Sequence, residues 1–140
     1  MSIQISRKSE YALRAMTMLA NEKSDRLFSA KKISSSQGIP LKFLEKILQG
    51  LVNNGLLVVQ YGPKGGYKLA KDASQITFLD VIRAVEGPIK INKCLDAKNP
   101  NCCVAECTMK DLWVKFQEEF EKLFNTITIA EASGSTKKSK

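Results

Sequence analysis

The chain has 140 residues, 44 % of them apolar, which suits one core with an appended element; no apolar run reaches the ~18 residues of a membrane span, and no secretory signal is expected. Its net charge of +8 sits mostly at one end: residues 1–90 hold 14 Lys/Arg against 7 Asp/Glu and residues 91–140 hold 8 against 7, so a polyanion would bind on the first two thirds by displacing counterions. Histidine is absent, which excludes imidazole chemistry, and without a P-loop or a Gly-x-Ser-x-Gly an enzyme is not expected.

Residues 7–22 are predicted to form a helix, because Tyr11, Ala12, Ala15, Met16, Leu19 and Ala20 recur at three-and-four spacing. Ser24-Asp25-Arg26 reads as a turn. Ser29 can cap a second short helix to about Ser36, with Ala30 and Ile33 facing inward. Gln37-Gly38-Ile39-Pro40 breaks the chain: Gly38 supplies a left-handed stop, and Pro40 suits the first turn of the next helix. That third helix, 40–52, carries Leu41, Leu44, Ile47, Leu48, Leu51 and Val52 at helical spacing and ends at Asn53-Asn54-Gly55. Leu56-Leu57-Val58-Val59 and Tyr67-Lys68-Leu69 flank Gly62-Pro63-Lys64-Gly65-Gly66 as a β-hairpin with a glycine-rich tip. Thr77-Phe78-Leu79-Asp80 has capping-box spacing and opens a helix to about Glu86, stopped by Gly87-Pro88. A second such start, Thr108-Met109-Lys110-Asp111, opens a long helix with an apolar stripe of Leu112, Phe116, Phe120, Leu123, Phe124 and Ile127.

The expected fold is mainly α with a small β-hairpin. A winged helix-turn-helix domain (1–88) precedes a cysteine-containing sensor loop (89–107), a C-terminal dimerisation helix (108–132) and a disordered tail (133–140). On the third helix Lys42, Phe43, Glu45, Lys46 and Gln49 are expected to face outward into a major groove. Lysines there meet phosphates or guanine edges, and a carboxylate accepts from cytosine N4. Tyr61 and Lys64 mark the wing tip, where Gly65 and Gly66 allow the backbone to approach DNA closely. Arg7, Lys8, Lys31 and Lys32 are the remaining DNA-binding candidates. Leu112, Phe116, Phe120 and Leu123 would be an exposed patch in a monomer, so pairing with a second copy is expected. A twofold dimer would present two recognition helices to a pseudo-palindromic double-stranded DNA operator. The plain alternative is a helical interaction module that binds no DNA.

Glu10-Tyr11-Ala12-Leu13-Arg14, Phe43-Leu44-Glu45-Lys46-Ile47-Leu48, Gly62-Pro63-Lys64-Gly65-Gly66-Tyr67 and Asp80-Val81-Ile82-Arg83-Ala84-Val85-Glu86-Gly87 together resemble the Rrf2 family of winged-helix regulators, in its IscR- and NsrR-like branches. The resemblance runs from about residue 3 to 131. It implies a homodimer that binds a palindromic operator, usually as a repressor; the expected location, with neither a span nor a secretory signal, is the cytoplasm, with no membrane partner. Many members carry an arginine just before the Gly-Pro of the wing; here that position is Tyr61.

All four cysteines lie between 94 and 107, a clustering that argues for metal or redox chemistry over a disulfide framework. The resemblance implies an iron–sulfur cluster, 2Fe-2S or 4Fe-4S, ligated by Cys94, Cys102 and Cys107, with Cys103 as the alternative middle ligand. It implies a fourth ligand, Glu10, supplied across the dimer, because Lys110 stands where other members use histidine. Soft, anionic thiolates suit such iron. On its own helix Glu10 could instead pair with Arg7 or Arg14. Two further readings of the cysteines stay open: a thiol–disulfide switch without metal, and a four-thiolate zinc site, disfavoured because Cys102-Cys103 lacks a two-residue gap.

Overall fold

Four of the helices begin where hydroxyl side chains satisfy backbone N–H groups that have no partner within the helix. The computed structural model describes residues 4–21, 26–92, 95 and 108–134. Ser6 caps α1 (Arg7–Ala20), Ser29 caps α2 (Ala30–Gln37), Thr77 caps α4 (Phe78–Glu86) and Thr128 caps α6 (Ile129–Ser133). At Thr77 the capping box is reciprocal: the Asp80 N–H donates to Thr77 Oγ1 at 3.1 Å, and the Thr77 N–H to Asp80 Oδ2 at 3.0 Å. Between α2 and α3 (Leu41–Asn53) the chain turns at Gly38, whose φ of 66° is the left-handed stop. α1 ends at Ala20, with Asn21 as its C-cap, rather than reaching residue 22.

Helical spacing then fills one core. Met16, Ile33, Leu44, Ile47, Leu48, Leu51, Val81 and Ile129 are all buried, with Leu57 of the hairpin and Ile76. Each such side chain contributes roughly 1.5–3 kcal/mol of burial.

β1 (Leu57–Gln60) and β2 (Gly66–Leu69) pair antiparallel, from Leu57 opposite Leu69 to Gln60 opposite Gly66. Phe28 adds a third edge: its N–H donates to Tyr67 O at 3.0 Å and its carbonyl accepts from Tyr67 N–H at 2.8 Å. The wing is thereby tied to the segment that leads into α2.

The C-terminal part departs from the expected single helix. α5 spans Thr108–Thr126, and Ile127-Thr128 then runs beside residues 76–78 in extended form. The Phe78 N–H donates to Ile127 O at 2.9 Å and the Ile129 N–H to Ile76 O at 2.8 Å. α6 carries Ile129 and Ala130 into burial and packs against α1. Ser133 and Gly134, read from composition as the start of the tail, close this helix instead: Gly134 is its left-handed cap, and Ser133 Oγ donates to Ala130 O at 2.9 Å. Residues 135–140 lie outside the described residues.

Candidate nucleic-acid interface

α3 divides cleanly by face. Leu44, Ile47, Leu48 and Leu51 enter the core, while Lys42, Glu45, Lys46 and Gln49 are exposed in a row one to two turns long. Gln49 Nε2 donates to Asn53 Oδ1 at 2.9 Å, extending the polar face by a turn. The face therefore offers two ammonium groups, a carboxylate and a carboxamide, the donors and acceptors that base edges and phosphates require.

Phe43 does not share it. Its ring is half-buried and meets the Tyr11 ring edge-on at 5.6 Å, so it locks α3 to α1. The Arg14 guanidinium lies 5.6 Å from the Tyr11 centroid on the same patch and donates to Gln37 O at the helix-turn-helix corner. An aromatic residue gains more by covering the edge of a core than by standing in water, which is why the outward position expected for Phe43 is corrected.

The wing tip is open at Tyr61, which is 82 % exposed, and at Lys64. Gly65 and Gly66, expected to admit DNA, have an internal reason to be glycine. A Cβ on Gly65 would overlap Gln60 O, and one on Gly66 would sit 2.6 Å from the Phe28 carbonyl carbon. Both places are filled by the protein's own backbone, so these glycines close the hairpin. Tyr67, which the sequence reading did not single out, sits half-buried at the base of the wing. Burial raises its phenol pKa above the usual value, and the nearby Tyr61 and Glu45 raise it further. The wing and the exposed face of α3 thus adjoin.

Arg7 and Lys8 are exposed in the first turn of α1, as are Lys31 and Lys32 in the first turn of α2. Glu10 is exposed on α1 and lines a shallow groove of about 280 Å³ with Leu13, Arg14 and Met18. Among the described residues it forms no salt bridge, and Arg14 is engaged with Tyr11 and Gln37. Cys94, Cys102, Cys103 and Cys107 lie outside the described residues, among which no three Cys, Asp or Glu residues are placed to hold a metal ion.

α5 buries none of its residues. Leu112, Phe116 and Leu123 are 46 %, 52 % and 57 % exposed, whereas Phe120 is half-buried and packs edge-on against Phe124 at 5.2 Å. At 100° per residue Phe120 borders the exposed stripe and the face that meets α4. Among the described residues no helix is long and apolar enough to cross a membrane.

Residues 5–133 match the Rrf2 family, described as an iron-dependent transcriptional regulator. The HTH-type transcriptional regulator IscR of Yersinia enterocolitica is 35 % identical over 130 residues, covering 92 % of this chain and 78 % of that protein. Among solved structures, CymR, the global cysteine regulator of B. subtilis, matches with a TM-score of 0.77 at 27 % identity, covering 96 % of this chain and 99 % of that one. T. potens IscR matches with a TM-score of 0.76 at 27 % identity, covering 99 % and 92 %. These similar proteins are regulators rather than enzymes, and the winged helix-turn-helix geometry agrees with theirs. The chain belongs to the Rrf2 family of transcriptional regulators.

Proposed function

We propose that the protein is a cytoplasmic homodimer that represses transcription from a pseudo-palindromic operator, and that an iron–sulfur cluster responsive to redox state, nitric oxide or iron–sulfur supply sets its hold on DNA. The observation that carries the DNA-binding part is the exposed row Lys42, Glu45, Lys46 and Gln49 on α3, with Tyr61 and Lys64 on the adjoining wing. The uncovered apolar stripe of α5 supports pairing, since Leu112, Phe116 and Leu123 would otherwise face water. Arg7, Lys8, Lys31 and Lys32 add phosphate contacts.

The donor set fits a cluster chemically. Cys94, Cys102 (or Cys103) and Cys107 supply soft anionic thiolates, and Glu10 supplies one hard oxygen from the partner subunit. Glu10 suits that task because it is exposed and unpaired among the described residues. When bound, the cluster would supply a redox-active and displaceable link between the cysteine segment of one copy and α1 of the other. The protein's own part is to hold Glu10 at a fixed place on α1, which Tyr11 and Arg14 tie to α3 and to the helix-turn-helix corner.

A second reading is supported by the likeness to CymR, the global cysteine regulator of B. subtilis, and by a cysteine beyond the three a cluster requires. The same DNA-binding dimer would then be switched by thiol–disulfide chemistry, or by a small effector, without metal. Purification without oxygen, with visible absorption and iron and sulfide counts, separates the two. Coloured protein with iron and sulfide, lost in Cys94→Ala and Glu10→Ala, supports the cluster. Colourless, iron-free protein whose operator affinity follows thiol oxidation overturns it. Binding to random duplexes that ignores salt, or no binding at all, overturns DNA recognition itself.

A further inference from the structure

Among the described residues, backbone hydrogen bonds anchor α5 just beyond its C-terminal end. Ile129, fully buried, and the backbone bonds of Phe78 to Ile127 and of Ile129 to Ile76 fix the residues just after it. Thr77 Oγ1 donates to Asn125 Oδ1 at 3.0 Å beside this anchor. Farther along the helix, one side chain holds it to α4 and another to the segment just after α4. Glu121 pairs with Arg83 of α4 at 3.3 Å. The Gln117 amide donates to Ile89 O, and its Oε1 accepts from the Ile91 N–H at 2.9 Å.

The rest of this seam is apolar. Leu79 and Ile82 are buried on the side of α4 that carries Arg83, and Phe120 and Phe124 are half-buried on the side of α5 that carries Glu121. Apolar contact is non-directional and allows one helix to slide or rotate on another. The Arg83–Glu121 ion pair adds a distance-dependent preference to that contact.

The arrangement is a lever. At 1.5 Å per residue, Glu121 lies about 10 Å from the anchor at Thr128 and Thr108 about 30 Å from it. A displacement at Glu121 is therefore multiplied about threefold at the Thr108 end. Adjacent base pairs are about 3.4 Å apart, so a shift of about 1 Å at the Arg83–Glu121 contact corresponds to roughly one base pair of half-site position.

We infer that Arg83–Glu121 is a positioning contact that selects the half-site spacing the dimer accepts. The inference rests on the dimeric DNA-binding reading above and goes beyond it. Arg83 and Glu121 side chains are 50 % and 24 % exposed, and ion pairs of that kind contribute little to stability. Their replacement should leave the domain folded and paired while changing its angle.

The test uses the full chain. An operator is selected from a randomised pool of duplexes, and its spacer is then shortened and lengthened by one and two base pairs. Wild type, Arg83→Glu, Glu121→Arg and the double charge swap are titrated against the series, with dimerisation and thermal midpoint measured for each. Wild type should prefer one spacing, each single variant should lose at least tenfold of that preference with both control readings unchanged, and the double swap should restore it. Variants that keep the wild-type spacing profile, a double swap that restores nothing, or a wild type indifferent to spacing overturns the inference alone. A wild type that selects no duplex overturns the DNA-binding reading, and the inference with it.

Discussion

Ser9 Oγ donates to the Glu86 carboxylate at 3.0 Å, joining the first helix to the last residue of α4 across 77 positions of sequence. Ser9 is only 2 % exposed, and Ser6, the N-cap whose Oγ accepts the Ser9 N–H at 3.1 Å, donates its own hydroxyl to the same carboxylate. A negative group there also opposes the positive end of the α1 dipole. Ser9→Ala should cost about 1 kcal/mol, the net worth of one hydrogen bond. Glu86→Ala should cost more, about 1–3 kcal/mol, because it leaves a buried hydroxyl without its partner. The double variant should fall short of the sum. Urea unfolding at one fixed protein concentration reads all three, since pairing would otherwise shift the midpoint.

The division of α3 predicts two different phenotypes from neighbouring positions. Lys42→Ala and Lys46→Ala should weaken binding to every duplex and lower the slope of log affinity against log salt by about 0.9 for each lysine that contacts a phosphate. Phe43→Ala should instead lower stability, by less than the about 3–5 kcal/mol of a fully buried phenylalanine, and leave the salt slope of the folded fraction unchanged. Gel shifts over a salt series together with thermal unfolding check both. A Phe43→Ala protein of normal stability and altered base preference would return Phe43 to the DNA-facing set.

The helices and the wing were legible because their signals are local. Ser29, Gly38 and the Thr77-x-x-Asp80 box mark ends within four residues, and the buried stripe of α3 repeats every three or four. What stayed hidden depends on distant partners. Phe43 reads as outward until Tyr11 is known to lie beside it. α6 has five residues, too few for a period, and its return to the core is visible only once Ile127 and Ile129 are paired with residues 76–78. Gly65 and Gly66 announce a close approach in the sequence, but only the fold says that the approaching groups are Gln60 and Phe28. Lys42 and Lys46 stand on the outer face that the helical spacing of α3 assigns them, and Glu10 is exposed on α1, whereas the half-burial of Tyr67 comes from what folds around it and not from its place in the wing motif.

Gly66→Ala should damage the wing first. The new Cβ would lie 2.6 Å from the Phe28 backbone, and the φ of 154° is one that side-chain-bearing residues rarely adopt. Relief requires breaking the Phe28–Tyr67 pairing, whose two hydrogen bonds hold the hairpin down. A loss of about 2–3 kcal/mol is expected, with faster amide exchange at Tyr67 and Phe28 than at Leu48. Gly38→Ala should be milder, because a Cβ there meets nothing within 4 Å and only the left-handed φ is strained.

Alkaline pH offers a separate check on the junction between wing and α3. The Tyr67 pKa is raised first by burial and then by the neighbouring Tyr61 and Glu45. A raised folded-state pKa means that the folded form holds its proton longer than the unfolded chain does. The resulting stabilisation is fully present below the unfolded value of ~10 and is lost as pH rises through the folded value. Wild type should therefore lose stability with pH above about 10 more steeply than Tyr67→Phe, and near neutral pH this titration should have no effect. Absorbance titration of tyrosinate should lose its step above pH 10 in Tyr67→Phe.

The exposed face of α5 makes its own prediction about pairing. Leu112, Phe116 and Leu123 are about half exposed while no residue of the helix is buried, so the isolated chain leaves this apolar stripe in water. A charge placed in its middle, Phe116→Glu, would have to be desolvated in any interface that covers it. Sedimentation should show monomer for Phe116→Glu and Leu112→Glu at concentrations where wild type is dimeric. Operator affinity should fall as two linked half-site contacts become single ones. Phe120→Glu should behave differently, because Phe120 packs against Phe124 on the border of the face toward α4: it should lower thermal stability as well as pairing. If Phe116→Glu remains a full dimer, the stripe is not the pairing surface, and the lever formed by α5 and Arg83–Glu121 would act on some other contact.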